Sequence, residues 1–187
     1  MLNDGSSLLV IATRWAGLAA EVIDDDDVKS MTETELRVGV ISDTHGLLRR
    51  VALAALHGSD VIIHAGDVGR PELIDELRAV APVHAVRGNV DQGDWAMSLP
   101  MTAHVEVGGL VIHVLHDISQ LDVDPAPAGF AAVVFGHSHK PSIETRDGVL
   151  YLNPGAAGPK RFSLPISIAR VRVVGERMHP EIVTLEV

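Results

Sequence analysis

A chain of 187 residues that is 47% hydrophobic and 21% charged is long enough to bury a full core and too apolar to be disordered. Its formal charge of −10 argues against a general nucleic-acid surface, and the absence of Cys excludes a disulfide framework or a thiolate metal site. No apolar stretch approaches the roughly 20 residues of a membrane span, and Leu8–Ala12 lacks the basic flank of a secretory signal, so no membrane association and a cytoplasmic location are expected.

Residues 1–34 read as an N-terminal extension, with Gly5-Ser6-Ser7 and the run Asp24-Asp25-Asp26-Asp27 typical of a solvated stretch. Either this segment is a dispensable, flexible appendage or Met31 is the native start, and the folded domain is expected over 35–187. The apolar run Val38–Ile41 then predicts a strand that ends at Ser42-Asp43-Thr44-His45-Gly46. Helical spacing over Leu47–Leu56 follows, with Gly58 placed as a C′ residue. A second strand, Val61–His64, ends at Ala65-Gly66-Asp67, and a second helix spans Pro71–Val80, with Pro71 at N1 and Pro82 just beyond it. A third strand, Val83–Val86, leads to Arg87-Gly88-Asn89. Such βα repeats imply a parallel sheet with right-handed crossovers.

From Met101 the pattern changes to strand pairs. Thr102–Val107 and Leu110–Leu115 flank Gly108-Gly109, a two-residue hairpin signal, and the second of these strands ends at His116-Asp117. Ala131–Phe135 ends at Gly136-His137-Ser138-His139. Ser142–Thr145 and Val149–Leu152 flank another turn, and Ile166–Val174 and Glu181–Val187 read as the last two strands. The expected fold is α/β: two packed mixed sheets flanked by helices, an αββα sandwich. With 3% aromatic residues, its core must be built from Val, Ile, Leu and Ala.

Five strands thus stop at residue types that bind metal. Asp43 and His45 lie two apart, and Asp67, Asn89, His116 and His137 follow at steps of 21–27 residues, with His139 two further on. Each step approximates one strand and its return connection, so every group can reach the same sheet edge, where open α/β proteins bind ligands. Taken singly, Asp43 reads as a helix cap and Asn89 as a turn residue. Taken together and in order, the series reads as a site for divalent ions held by His, carboxylate and amide oxygen.

Asp43-x-His45, Gly66-Asp67, Gly88-Asn89, His116 and Gly136-His137-x-His139 resemble the motif series of the calcineurin-like metallophosphoesterases, in particular the small bacterial and archaeal phosphodiesterases. The resemblance covers residues 36–187. It implies the phosphoesterase sandwich fold and hydrolysis of a small phosphorylated substrate by two divalent ions, manganese first, with nickel, iron, zinc or magnesium as alternatives. Asp43, His45 and His139 would hold one ion, Asn89, His116 and His137 the other, and Asp67 would bridge them. A metal-bridging hydroxide would attack phosphorus in line, with no covalent enzyme intermediate.

Many relatives carry His after the Asn; here Val90 and then Asp91 occupy those positions, which predicts poor turnover of alkyl monoesters. Asp117 and Ala156 also depart from the pattern. The remaining motifs have plainer readings. His57 falls at a helix C-terminus, His64, His84 and His113 within strands as structural or ligand-orienting residues, and His104 and His179 at the surface. Asn153-Pro154-Gly155 is a turn, Lys160 and Arg161 are solvated charges, and Trp95 is a packing residue in the loop Gln92–Pro100. That loop and Ile118–Gly129 would set specificity. A scaffold with this fold, as in the retromer subunit, and a slow nucleotide-binding module are the competing functions; homo-oligomerisation is left open.

Overall fold

The computed structural model describes residues 34–186. The predicted extension over 1–34 lies outside the described residues apart from Thr34. Among the described residues the strands are β1 (Glu35–Ile41), β2 (Val61–His64), β3 (Val83–Ala85), β4 (Thr102–Val107), β5 (Leu110–Leu115), β6 (Phe130–Val134), β7 (Ser142–Arg146), β8 (Val149–Asn153), β9 (Ser167–Val174) and β10 (Arg177–Thr184). The helices are α1 (Arg50–Leu56), α2 (Glu72–Arg78) and the single turn α3 (Asp94–Met97), with a 3-10 turn over Ile118–Gln120.

The strands form two five-stranded mixed sheets, in the orders β10-β9-β1-β2-β3 and β4-β5-β6-β8-β7. β1, β2 and β3 are parallel, as are β5, β6 and β8, so each sheet has a central block whose strands end on one edge. Alternation along β1 decides the layers. Val38 and Val40 point between the sheets, where they meet Val105, Ile112, Val114, Ala132, Val134 and Leu152. Ile41 points outward with Ile62 and Ile168, against Leu56 of α1 and Leu73 and Leu77 of α2. The expected αββα architecture is therefore present, with its second outer layer reduced: Leu115, Val133 and Val149 are covered by Ile118, Leu121 and Ala126 from the loop that contains the 3-10 turn.

Some element boundaries differ from the sequence pattern. The helix expected from Leu47 starts at Arg50, because the Leu47 amide closes a turn on the Thr44 carbonyl and residues 42–46 belong to a loop. The last strand, expected from Glu181, starts at Arg177. Pro180 lies inside it, tolerated because β10 is a sheet edge and needs no amide donor on its outer side.

Candidate metal centre

All seven predicted ligand residues follow the carboxyl ends of parallel strands: Asp43 and His45 after β1, Asp67 after β2, Asn89 after β3, His116 after β5, and His137 and His139 after β6. The structure brings their side chains together in two linked groups. In the first, His45 Nε2 lies 3.2 Å from His139 Nε2, which lies 3.3 Å from Asp43 Oδ1. In the second, Asn89 Oδ1 lies 3.1 Å from His116 Nε2 and 3.0 Å from His137 Nδ1. Asp67 Oδ2 joins them, 3.9 Å from His45 Nε2 and 3.4 Å from His116 Nε2.

Donor atoms bound about 2.0–2.2 Å from one ion stand near these mutual distances, so the spacing fits metal ligation. A second observation agrees. Asp43 Oδ1 is buried with no hydrogen-bond partner in the protein, whereas Oδ2 takes the Ser42 hydroxyl at 2.6 Å and the His137 amide at 3.1 Å. A buried carboxylate oxygen aimed at two imidazoles and left unsatisfied is costly unless a cation completes it. Asp67 departs in one detail from a carboxylate using both oxygens to span two ions. Its Oδ1 is taken by the Val90 amide at 3.0 Å, so Oδ2 alone faces both groups.

The backbone that presents these atoms is unusual. Asp43, His45, Asp67, His137 and His139 have φ of 53°, 46°, 55°, 66° and 58°, in the left-handed region that non-glycine residues seldom adopt. Neighbouring loops are laced together to hold them: the amides of Asp43, His45 and Gly46 bond the carbonyls of Gly66, Asp67 and Val68 at 3.0, 2.9 and 2.8 Å. The Gly136 amide reaches the His116 carbonyl at 2.9 Å, joining the two groups supplied by the second sheet. At Gly88 a Cβ would overlap Asp67 Oδ1 and the Asp67 amide nitrogen, so only glycine lets the third loop approach the second this closely.

Several residues organise the donor loops, and the sequence pattern assigns Asp91 no role. Asp91 is 6% exposed, and its carboxylate accepts the amides of Gly88 at 2.8 Å, Gly69 at 2.7 Å and Val68 at 3.2 Å, tying the Asn89 loop to the Asp67 loop. The only sequence signal was its place two residues after Asn89. Asn153, read as a turn residue, does make the turn by accepting the Gly155 amide, but its buried amide also donates to Gly136 O at 2.7 Å and Ser138 Oγ at 3.1 Å, fixing the His137–His139 loop. His64 is fully buried beneath Thr44. The Thr44 hydroxyl donates to the Val68 carbonyl at 3.0 Å, which leaves its oxygen to accept from His64 Nε2–H at 2.9 Å. His84, expected within a strand, is exposed on β3; His104 and His179 are exposed as anticipated, and His57 is exposed at the C-terminal end of α1.

Electrostatics follow from burial and from these pairings. Burial pushes the Asp43 carboxyl up, against the Ser42 hydroxyl and the charges of His116 and His139. Burial also pushes Asp67 up, but its contact with His116, the Val90 amide and the charge of His45 outweigh this and hold it below the ordinary range. His116 shows the reciprocal effect: burial lowers it, yet Asp67 and the Ala65 carbonyl leave it raised. His139 is lowered, first by burial and further by His45 and Arg161, in spite of Asp43. His64 is pushed down to about 3, mainly by burial, and is neutral.

Beside Asn89 and His116 opens a cavity of about 280 Å³, whose walls include Arg87, Met101, Leu115, Asp117, Gln120 and Asp122. A cleft of about 310 Å³ near the start of β1 holds none of the seven residues, and its arginines are already engaged: Arg37 and Arg172 with Glu35, Arg170 with the Ala55 carbonyl. Trp95 packs partly buried against the helical side of the first sheet.

An αββα sandwich thus gathers imidazole, carboxylate and amide donors, a set suited to divalent ions, where the parallel strands of both sheets end. Comparison with known proteins agrees. The model of the calcineurin-like phosphoesterase superfamily domain matches residues 36–176. A probable metallophosphoesterase of Methanothermobacter thermautotrophicus is 30% identical over 158 residues, covering 78% of this chain and 91% of that protein. Two solved structures share the fold. An archaeal phosphodiesterase has TM-score 0.66 and 22% identity, over 79% of this chain and 100% of the other. Vacuolar Protein Sorting 29 of Cryptosporidium parvum has TM-score 0.65 and 20% identity, over 80% and 97%. The chain belongs to the calcineurin-like phosphoesterase superfamily.

Proposed function

We propose that the protein is a dinuclear metal-dependent phosphodiesterase acting on a small phosphorylated substrate. The observation that carries this reading is Asp67 Oδ2, one carboxylate oxygen facing His45 in one donor group and His116 in the other. Asp43, His45 and His139 would hold one ion, Asn89, His116 and His137 the second, with Asp67 shared. Manganese suits this thiolate-free set of nitrogen and oxygen donors. Bound there, divalent ions would supply an activated water at neutral pH and offset the charge that builds on the phosphoryl oxygens.

The chain's own residues do the positioning. Ser42 and the His137 amide hold one oxygen of Asp43 so that the other faces His45 and His139. The Ala65 carbonyl at 2.7 Å from His116 Nδ1 fixes that tautomer, leaving Nε2 free to ligate. Val90 puts an isopropyl group where many relatives have His, and loss of a positioned general acid costs about 10²–10⁴ in rate on poor leaving groups. This favours activated esters and diesters over alkyl monoesters.

The competing reading is an assembly scaffold, which the likeness to Vacuolar Protein Sorting 29 brings forward at the level of fold. A scaffold has no need of a complete donor set, and none of the seven residues is missing here. Hydrolysis of bis-p-nitrophenyl phosphate and p-nitrophenyl phosphate by chelator-stripped protein, with Mn²⁺, Ni²⁺, Mg²⁺ or Zn²⁺ restored separately, decides between them. We expect metal-dependent turnover, faster on the diester, that disappears in Asp67→Asn. Turnover no greater than that of the variant with every metal would remove the catalytic reading.

A further inference from the structure

Arg87 stands at the wall of the cavity beside Asn89 and His116, and its partners are of an unusual kind. Its Nη1 donates to Met97 Sδ at 2.6 Å, while Nε and Nη2 donate to Met101 Sδ at 3.2 and 3.0 Å. Among the described residues it joins no ion pair, although Asp117 and Asp122 line the same cavity. The N–H bonds of a guanidinium lie in its plane, so acceptors reached by those bonds lie near that plane too. The two thioethers therefore lie along the donor edges of Arg87 rather than over its flat faces. The loop is fixed from the backbone as well, the Arg87 amide bonding the Pro100 carbonyl at 2.8 Å.

A guanidinium pinned by its edges is a platform for a planar ring, which stacks on it through cation–π attraction, and thioethers add favourable contacts at a ring's rim. The rest of the cavity complements the edge of such a ring. Asp117, Gln120 and Asp122 supply acceptors for amino, ring N–H or sugar hydroxyl donors, and Leu115 and Met101 supply apolar wall. The two carboxylates also repel further phosphate groups from this side. A cavity of about 280 Å³ is small for a ligand site and suits one planar ring with part of a sugar. We propose that Arg87 is a specificity-determining residue, and that the cavity it walls receives the nucleoside arm of a phosphodiester with the base stacked on its guanidinium. This rests on the reading that the phosphate lies at the adjoining donor groups.

The test compares two ligands that differ only by the base. Dissociation constants of AMP and ribose 5-phosphate are measured by calorimetry on the full-length protein loaded with Mn²⁺, with bis-p-nitrophenyl phosphate turnover followed in the same samples. We expect AMP to bind about tenfold more tightly, the worth of one partly desolvated cation–π contact. Arg87→Lys keeps the charge and loses the plane, and the preference should fall to about twofold or less, since a point charge stacks poorly. Met101→Leu keeps the volume and loses the sulfur, and should lower the preference in the same direction. Phe162→Ala removes the most exposed aromatic residue among the described residues, 93% exposed after Lys160-Arg161, and should leave the preference unchanged. Equal binding of the two ligands by the wild type, retention of the preference in both Arg87→Lys and Met101→Leu, or its loss in Phe162→Ala would each overturn the proposal. Turnover without base preference removes this inference and leaves the enzyme; base preference through Arg87 without turnover supports the cavity and removes the enzyme.

Discussion

Asp91→Asn offers the sharpest test of how the site is held together. The Asp91 carboxylate takes three backbone amides, Gly88 and Val68 on one oxygen and Gly69 on the other, at 2.8, 3.2 and 2.7 Å. A hydrogen bond to a charged acceptor contributes about 1.5–3 kcal/mol and a neutral one about 1 kcal/mol. The variant keeps one oxygen, so at best it retains the Gly88 and Val68 bonds at neutral strength, while the Gly69 amide meets an NH₂ group. At the lower end of the charged range the expected loss is about 3 kcal/mol. For a domain of this size that corresponds to a melting temperature lower by about 6–12 °C. The damage should also reach the ions, because Gly88 precedes Asn89 and Val68 follows Asp67. Loss of such supporting contacts typically weakens metal affinity about 10–100-fold. Thermal melts by circular dichroism, with chelator and then with Mn²⁺ at a fixed concentration well above the dissociation constants of both proteins, read both effects. The Mn²⁺-induced stabilisation should shrink by about 1.4–2.7 kcal/mol in the variant. A variant that melts within a degree of wild type and gains as much from Mn²⁺ would show that Asp91 is only a surface cap, and that the tie between the loops is not what orders the ligands.

Two further variants probe the same scaffold. Gly88→Ala forces a methyl group onto Asp67, so Mn²⁺ affinity should drop at least about tenfold and turnover with it; unchanged calorimetric binding would contradict the close approach. His64 sets a pH dependence. Its folded value of about 3 lies below the ordinary 6.5, so between those values the unfolded chain binds a proton that the folded chain refuses. Stability is therefore fully present above pH 6.5 and is lost as pH falls toward 3, by about 1.2 kcal/mol between pH 6 and pH 5. Denaturant unfolding in chelator should show this slope in the wild type and a shallower one in His64→Gln. Parallel curves for the two proteins would refute the assignment.

The cluster of seven predicted donors was legible because each stands where an apolar run ends, and strand ends are what a one-dimensional pattern marks best. The same pattern gave two sheets, since βα repeats before Met101 and strand pairs after it require different connections. It could not give helix α1 its start: Leu47 and Leu48 carry helical spacing, but the Thr44–Leu47 turn belongs to the site. Nor could it find Asp91, whose role depends on three amides from two loops, two of them more than 20 residues away in sequence. His64 and His84 looked alike as strand histidines. Sheet position separates them: His64 ends the β2 strand, between β1 and β3 and under the first ligand loop, whereas β3 is an edge and leaves His84 in solvent.

The left-handed residues explain why this fold and these ligand types go together. A non-glycine residue in that region costs on the order of 1 kcal/mol or more, and five of the seven predicted ligands sit there. The sum, about 5 kcal/mol or more, is comparable with the whole stability of a small domain. Asp and His are among the residue types that enter this region most readily, so the side chains that can hold a divalent ion are also among the least costly non-glycine choices for the tight reversals at a strand end. The remaining strain is opposed by the contacts that cross between loops: Asp91 between the second and third, Asn153 on the last, and Ser42, whose hydroxyl lies between Asp43 and the Gly155 carbonyl. Each of these residues makes at least one contact distant in sequence, and the Ser42–Gly155 contact joins the two sheets. The site is therefore a product of the completed sandwich rather than of any one βα unit.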